Sequence, residues 1–226
     1  TLVLNGVEAR YIVTSARTSG EQRQKEGITL FCIDSEEFAV ERSVIPIMDG
    51  SKVANLRFDN LSLNQDSVVG EVGEGGKLLD TMVLEARIAV AAEMLGIMDV
   101  LKEKTVDYSK TRKQFGLAIG SFQALQHRMV EMFMAAEQSR SMLYRAICEY
   151  QQGEESACST ISAMKSLIGQ KSRMMGEEAI QLHGGMGMTD ELDIGHYVKR
   201  LMVLNHLLGD VDSGYRDFCK ANYAGN

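Results

Sequence analysis

The sequence predicts an α+β, multi-domain chain in which a β-rich segment is followed by an antiparallel four-helix bundle. Two observations carry this, and a third supports it. Before about residue 75 the apolar residues come in short β-branched runs, and after it they recur at helical spacing over long stretches. Only one proline, Pro46, occurs among 226 residues, and it lies in the first segment. Proline breaks helix interiors, so its absence elsewhere permits long helices. The breaks between helical stripes carry glycines, the residues that most readily let a helix end.

Within the first segment, residues 11–16 (YIVTSA) and 28–33 (ITLFCI) read as strands separated by a polar stretch at 17–27. Residues 53–58 (VANLRF) alternate with a period of two, behind a turn signal at Asp49-Gly50. Residues 2–6 read as a strand and turn. Pro46 falls where an edge strand or loop tolerates it.

From Lys77 onward the period is helical. Leu79, Met82, Val83, Ala86, Val90, Ile97 and Leu101 form one stripe. Phe122, Leu125, Met129, Phe133, Ala136, Leu143 and Ile147 form a second. Ala157, Ile161, Met164, Ile168, Met175, Ala179 and Leu182 form a third. Ile194, Val198, Leu201, Asn205 and Leu208 form a weaker fourth. Short connections between four long helices imply an antiparallel bundle. Ser121 is an expected N-cap of the second helix, and Glu154 with Glu155 suits the start of the third. Most of the 14 methionines fall here, where they are expected to fill helix interfaces.

Composition narrows the function classes. Hydrophobic residues at 45% and charged residues at 24% suit a globular chain with a core. A net charge of −7 offers no electrostatic footprint for nucleic acid. No apolar run approaches the length of a membrane span. The four cysteines, Cys32, Cys148, Cys158 and Cys219, are scattered, which suits reduced thiols rather than a disulfide framework. Neither they nor the four histidines have metal-ligand spacing, so no metal site is expected.

Three connections carry more than turn chemistry. The first is residues 111–116 (TRKQFG), followed by Phe122-Gln123. It reads either as a cationic helix C-terminus with Phe115 in the core, or as a phosphate contact through Arg112. The second is residues 181–189 (QLHGGMGMT), whose glycines suit a wide helix–helix turn or close backbone approach to a ligand. It lacks the preceding strand of a dinucleotide fingerprint and the Lys-Ser/Thr of a P-loop. The third is residues 206–212 (HLLGDVD), where two carboxylates near a glycine suit a helix N-cap or a site.

Together these segments resemble the acyl-CoA dehydrogenase family. The resemblance rests on RKQFG (112–116), the following Phe122-Gln123, and QLHGGMG (181–187), in that order on a bundle that follows a β segment. Residues 122–129 (FQALQHRM) and 181–191 (QLHGGMGMTDE) resemble a bacterial branch that includes enzymes of dicarboxylic, pimeloyl-type acyl-CoA and steroid side-chain catabolism. The resemblance implies that residues 1–75 are part of a middle β-barrel or β-sandwich domain and 76–226 the C-terminal four-helix bundle. It also implies that the family's N-terminal helical domain is absent, so that a chain starting at Thr1 is the C-terminal part of a longer polypeptide.

What the family does then becomes the expectation here. FAD lies at a subunit interface and serves α,β-dehydrogenation of an acyl-CoA: a carboxylate takes the α-proton and the β-hydrogen leaves as hydride. Arg112, Gln114 and Gln123 are expected to contact FAD around its pyrophosphate, with Phe115 packing against it. Gln181, Gly184 and Gly185 are expected to approach its adenosine end, in a flavin held mainly by a neighbouring subunit. Arg87 matches an arginine near the acyl-CoA channel; without that match it reads as a charge on a solvated helix face. The resemblance further implies an electron-transfer flavoprotein as acceptor, a homo- or heterotetramer, and a bacterial cytoplasmic location.

The sequence departs from the family at the catalytic base. Gly209 stands where the family's usual glutamate is, and Ala86 stands at the alternative position on the first bundle helix. Asp210 and Glu85, each one residue away, are the candidate bases. The family's flavin-side tryptophan and threonine are replaced by Leu2 and Leu4. A second reading follows: a non-catalytic, half-site subunit that completes the FAD site of a related partner.

Overall fold

The structure, a computed structural model, describes residues 1–223. The chain divides into two compact units, Thr1–Val83 and Leu84–Asn226.

The first unit holds two three-stranded antiparallel sheets and no closed barrel. One has the order β1 (Val3–Leu4), β5 (Lys52–Arg57), β4 (Glu41–Pro46). The other has the order β2 (Tyr11–Arg17), β3 (Ile28–Asp34), β6 (Val68–Val69). The expected strands at 11–16, 28–33 and 53–58 correspond to β2, β3 and β5. Strand β4 was not evident in the sequence. It lies at a sheet edge and ends at Pro46, opposite Lys52, where the missing N–H interrupts no inner ladder. The period-two expectation for β5 is blurred, because Val53 and Ala54 are both buried.

Thr29 ties β3 to the segment that leads into the first helix. Its buried hydroxyl accepts from the Gly73 N–H at 2.9 Å and pairs with Thr18 Oγ1 at 2.7 Å. Two residues later, a Cβ at Gly75 would lie 2.8 Å from the Leu30 nitrogen and 2.9 Å from the Ile28 carbonyl. Only glycine fits there, and α1 begins at that residue.

The four expected helices are α1 (Gly75–Thr111), α2 (Gln123–Gln152), α3 (Ala157–His183) and α4 (Ile194–His206). A fifth, α5 (Val211–Tyr223), follows them. The bundle core gathers Val90, Met94, Met98 and Leu101 of α1, Met132, Ala136 and Leu143 of α2, Ile161, Met164, Ile168 and Met175 of α3, and Ile194, Leu201 and Leu204 of α4. Five of these are methionines, as expected of adaptable interface packing. Each large side chain so buried contributes roughly 1.5–3 kcal/mol before the entropy of ordering it is subtracted. Phe133 departs from its stripe: it is 53% exposed, while Met132 beside it is fully buried.

The helix ends are closed by local chemistry. Gly153 takes a left-handed conformation (φ 68°) after α2, and its N–H reaches the carbonyls of Glu149 and Tyr150. Ser121 does not cap α2, which starts after Phe122 with no side-chain cap; its hydroxyl donates to the Ala118 carbonyl instead. Nor do Glu154 and Glu155 anchor α3. That task falls to Glu149 on α2, which accepts from Ser156 Oγ at 2.9 Å, Thr160 Oγ1 at 2.5 Å and Arg145 Nε at 2.6 Å. Among the described residues, no helix is long and apolar enough to cross a membrane.

Candidate functional site

After α1 ends at Thr111, the chain doubles back in a short hairpin, β7 (Lys113–Gln114) with β8 (Leu117–Ala118). The two residues between them, Phe115 and Gly116, both have positive φ (53° and 81°), as a tight hairpin turn requires. Glycine takes that conformation freely; phenylalanine does so with strain. Phe115 is also 91% exposed, so it is not in the core. Among the described residues its aromatic neighbour is Phe122, met edge-on at 6.2 Å.

Helix α3 ends at His183 and passes into a tight turn, Gly184–Met188. Gly184 has φ 60° and ψ −140°, a conformation open to glycine, and its N–H caps the Gln181 carbonyl. A Cβ at Gly187 would lie 2.8 Å from the Ile180 carbonyl, which holds the turn close against α3.

The hairpin and this turn face each other across a cavity of about 410 Å³. Arg112, Gln114, Gln181, Gly184 and Gly185 all line it, together with Tyr108 and His183. Arg112 is exposed and has no carboxylate partner among the described residues. At Gly184 and Gly185, nothing lies within 4 Å of where a Cβ would sit, so a ligand can approach the backbone. An unpaired guanidinium, two amide side chains and accessible main chain make a chemical fit for a diphosphate-bearing ligand such as FAD. Gln123 is the exposed first residue of α2 and lies outside the cavity wall.

Tyr108 and His183 were not singled out in the sequence. Their rings stack at 4.4 Å between centroids, inclined by 29°. His183 is buried, with Nδ1 2.8 Å from the Ala179 carbonyl. A carbonyl can only accept, so Nδ1 carries the proton. Burial lowers the pKa of the ring, favouring its neutral form. The histidine was visible beside the two glycines, but its tyrosine partner lies 75 positions earlier on another helix.

Arg87 and the two candidate bases lie elsewhere in the bundle. Arg87 is not on a solvated face: its side chain is 13% exposed. Its Nε donates to the Leu208 carbonyl at 2.9 Å, and its Nη2 pairs with Asp217 of α5 at 3.1 Å. Asp210 stands just ahead of α5 and accepts from the Ser213 N–H at 2.8 Å, the helix N-cap arrangement that its spacing allowed. That backbone bond holds the carboxyl below its ordinary pKa. Glu85 is exposed and accepts from the Tyr150 hydroxyl at 2.8 Å, which raises the tyrosine pKa. Gly209 has φ 106°, and a Cβ there would lie 2.5 Å from Ser213 Oγ and 3.2 Å from Arg87 Nη2.

Lys165 is the other group that the sequence did not flag. It sits between Met164 and Ser166 on α3 and is 1% exposed. Its Nζ donates to the carbonyls of Leu204 at 3.2 Å and Asn205 at 2.9 Å, in the last turn of α4. Desolvation, and then the charge of Arg87, push its pKa down to about 8, against an opposing effect of Asp210.

Comparison with known proteins adds a family. Residues 73–212 match the sequence model of the acyl-CoA dehydrogenase C-terminal domain. A Serratia protein, L-prolyl-[peptidyl-carrier protein] dehydrogenase, is 34% identical over 163 residues, covering 72% of this chain and 41% of its own length. A solved structure of PigA with FAD and proline superposes with a TM-score of 0.90 at 28% identity, covering 96% of this chain and 57% of that one. Butyryl-CoA dehydrogenase from Megasphaera elsdenii gives a TM-score of 0.90 at 25% identity, with the same coverage of 96% and 57%. The chain spans about half the length of the curated relatives it matches.

Proposed function

Because the chain belongs to the acyl-CoA dehydrogenase family, we propose that it is the flavin-binding C-terminal part of an FAD-dependent dehydrogenase acting on an acyl thioester. The single observation that carries this is the shared cavity of Arg112, Gln114, Gln181, Gly184 and Gly185. Two segments about 70 positions apart, each of a type that binds anions or permits close backbone approach, meet there. The solved relative bound to FAD supports the choice of ligand.

In this reading Arg112 pairs with the pyrophosphate, and Gln114 and Gln181 orient the groups beside it. The backbone at Gly184 and Gly185 comes close to the adenosine end. The exposed ring of Phe115 covers apolar cofactor surface, and Gln123 contacts the cofactor from the adjacent start of α2. When bound, FAD supplies the hydride acceptor for the β-hydrogen of the thioester. The acyl group is carried by coenzyme A, the electrons pass on to an electron-transfer flavoprotein, and the chain works as a homo- or heterotetramer in the bacterial cytoplasm.

The base is the divergent element. Glu85 and Asp210 remain the carboxylates nearest the two family positions. Asp210, engaged by the Ser213 N–H and low in pKa, is a weak proton acceptor. This favours a second reading, in which the chain completes the FAD site of a related partner that brings its own base. At Gly209, positive φ and the closeness of Ser213 and Arg87 oppose any longer side chain at the usual glutamate position.

The two readings separate on purification of the full polypeptide. A yellow protein that reduces a dye with butyryl-CoA supports a self-sufficient enzyme. Its Asp210→Asn and Glu85→Gln variants then identify the base by loss of turnover. A colourless protein that gains flavin and activity only when co-expressed with a related subunit supports the half-site. No flavin under either condition overturns both.

A further inference from the structure

Lys165 has no part in the flavin cavity, and its burial has a cost. An ammonium removed from water is unfavourable unless its protons are matched by acceptors. Its acceptors are not carboxylates but two main-chain carbonyls, those of Leu204 and Asn205. These belong to the last turn of α4, where carbonyls lack their usual partners four residues on and the helix dipole is negative; that of Leu204 also takes the Leu207 N–H. An ordinary cap for such a turn is a nearby surface side chain. Here the donor comes from the middle of another helix.

The chain leaving that turn is unusual. Leu207 is extended, Leu208 is left-handed without being glycine (φ 59°), and Gly209 has φ 106°. A leucine held at positive φ persists only where its surroundings fix it. Four donors do so. Lys165 takes the carbonyls of Leu204 and Asn205, and Arg87 Nε takes that of Leu208 at 2.9 Å. Ser166 Oγ takes that of Val211 at 2.8 Å. The carbonyls of α4's last turn, of the strained connection and of α5's first residue are thus gripped from α3 and α1.

We propose that Lys165 is a positioning residue: its buried ammonium fixes the end of α4 and so sets the path of residues 207–210, the connection that carries Gly209 and Asp210. This deepens the dehydrogenase reading and rests on it for its bearing on turnover. The positioning itself is independent of that reading. Arg87 holds the middle of the connection and Ser166 its far end. Lys165 holds its start, where the Leu207 N–H also reaches the Leu204 carbonyl and Asn205 Nδ2 the Gly169 carbonyl.

The test uses the full polypeptide with Lys165→Met, which keeps the stem and removes the donors. Hydrogen exchange is followed at amides 207–213 and, as an internal reference, at those of α2. We expect exchange at 207–213 to quicken by about tenfold or more while α2 is unchanged, the signature of local opening. Lys165→Arg, which keeps donors and charge, is expected to restore protection in part. Exchange that is unchanged at 207–213, or that rises equally in α2, overturns the proposal, because the lysine then only fills space or supports the whole bundle. If Lys165→Met does not fold, Lys165→Gln carries the same reading, since its shorter amide cannot bridge both carbonyls. With butyryl-CoA as probe, kcat should fall while KM and flavin content hold. Quickened exchange without any turnover in the parent protein leaves the positioning intact and counts against the dehydrogenase reading alone.

Discussion

Arg87 Nε donates to the carbonyl of Leu208, joining the early part of α1 to a strained residue 121 positions later. The same guanidinium pairs with Asp217, so one side chain ties α1 to both the α4–α5 connection and α5. Replacing Arg87 with Met leaves a carbonyl and a carboxylate without their donor. The expected loss is about 2 kcal/mol, since charged hydrogen bonds in partly buried settings contribute in that range. Urea unfolding of the variant against the parent measures it. Arg87→Lys should recover only part, because an ammonium lacks the planar fork that reaches both acceptors.

Restoring a carboxylate at the usual family position should not restore a base. In Gly209→Glu the backbone would keep a φ that side-chain-bearing residues rarely adopt, with Ser213 Oγ and Arg87 Nη2 beside the new Cβ. We expect a destabilisation of about 1–3 kcal/mol, read by chemical unfolding, and no gain in turnover. A gain in turnover at parental stability would show that the connection moves freely.

Arg112→Ala should weaken flavin binding by roughly tenfold to a hundredfold, the scale of a lost charged hydrogen-bonding pair. Flavin fluorescence titration checks it. Thermal unfolding of the flavin-free protein should be unaffected, because Arg112 is exposed and has no ion-pair partner among the described residues. Gly185→Ala probes the same face differently. It has room for a Cβ in the free protein and should lower flavin affinity only if the cofactor backbone contact is close.

Two groups raise stability with pH, in separate windows. Glu149 is held down to about 2 by Thr160, Arg145 and Ser156, below its ordinary 4.5. Its folded pKa is depressed, so its contribution is present above pH 4.5 and is lost as pH falls towards 2. Glu149→Gln should flatten that part of the acid unfolding curve. Lys165 lies at about 8 against an ordinary 10.5. Between those values the unfolded chain binds the extra proton, so stability from this group rises with pH across that window. Comparing the parent with Lys165→Met from pH 7 to 10 isolates the term. A parent-minus-variant difference that does not grow over that range would contradict it.

The sequence made some of this legible and not the rest, for physical reasons. The helical stripes of α1 to α4 were plain because apolar side chains repeat where helices meet. Helix α5 was not, because its one buried residue is Gly214, which packs through the absence of a side chain against Ser166 and the Ser162 carbonyl. Hydrophobic periodicity cannot register a contact made by a missing methyl group. Phe115 misled in the other direction: an aromatic suggests core, but the turn geometry of Phe115-Gly116 turns it outward. Lys165 was hidden because a lysine among apolar neighbours reads as a solvated edge, and the carbonyls it serves are invisible in side-chain identities. The cavity residues could be proposed from motif order, whereas the partnership of Tyr108 with His183 depended on how two helices pass each other.

The openness of the proposed flavin cavity also bears on supply. Arg112, Phe115 and the glycines at 184 and 185 all face outward, so they can hold only one side of a large ligand. If a second chain provides the other side, occupancy depends on how often two chains meet as well as on how much cofactor is present. Loading would then climb steeply with protein concentration, and dilution would shed cofactor before it unfolded anything.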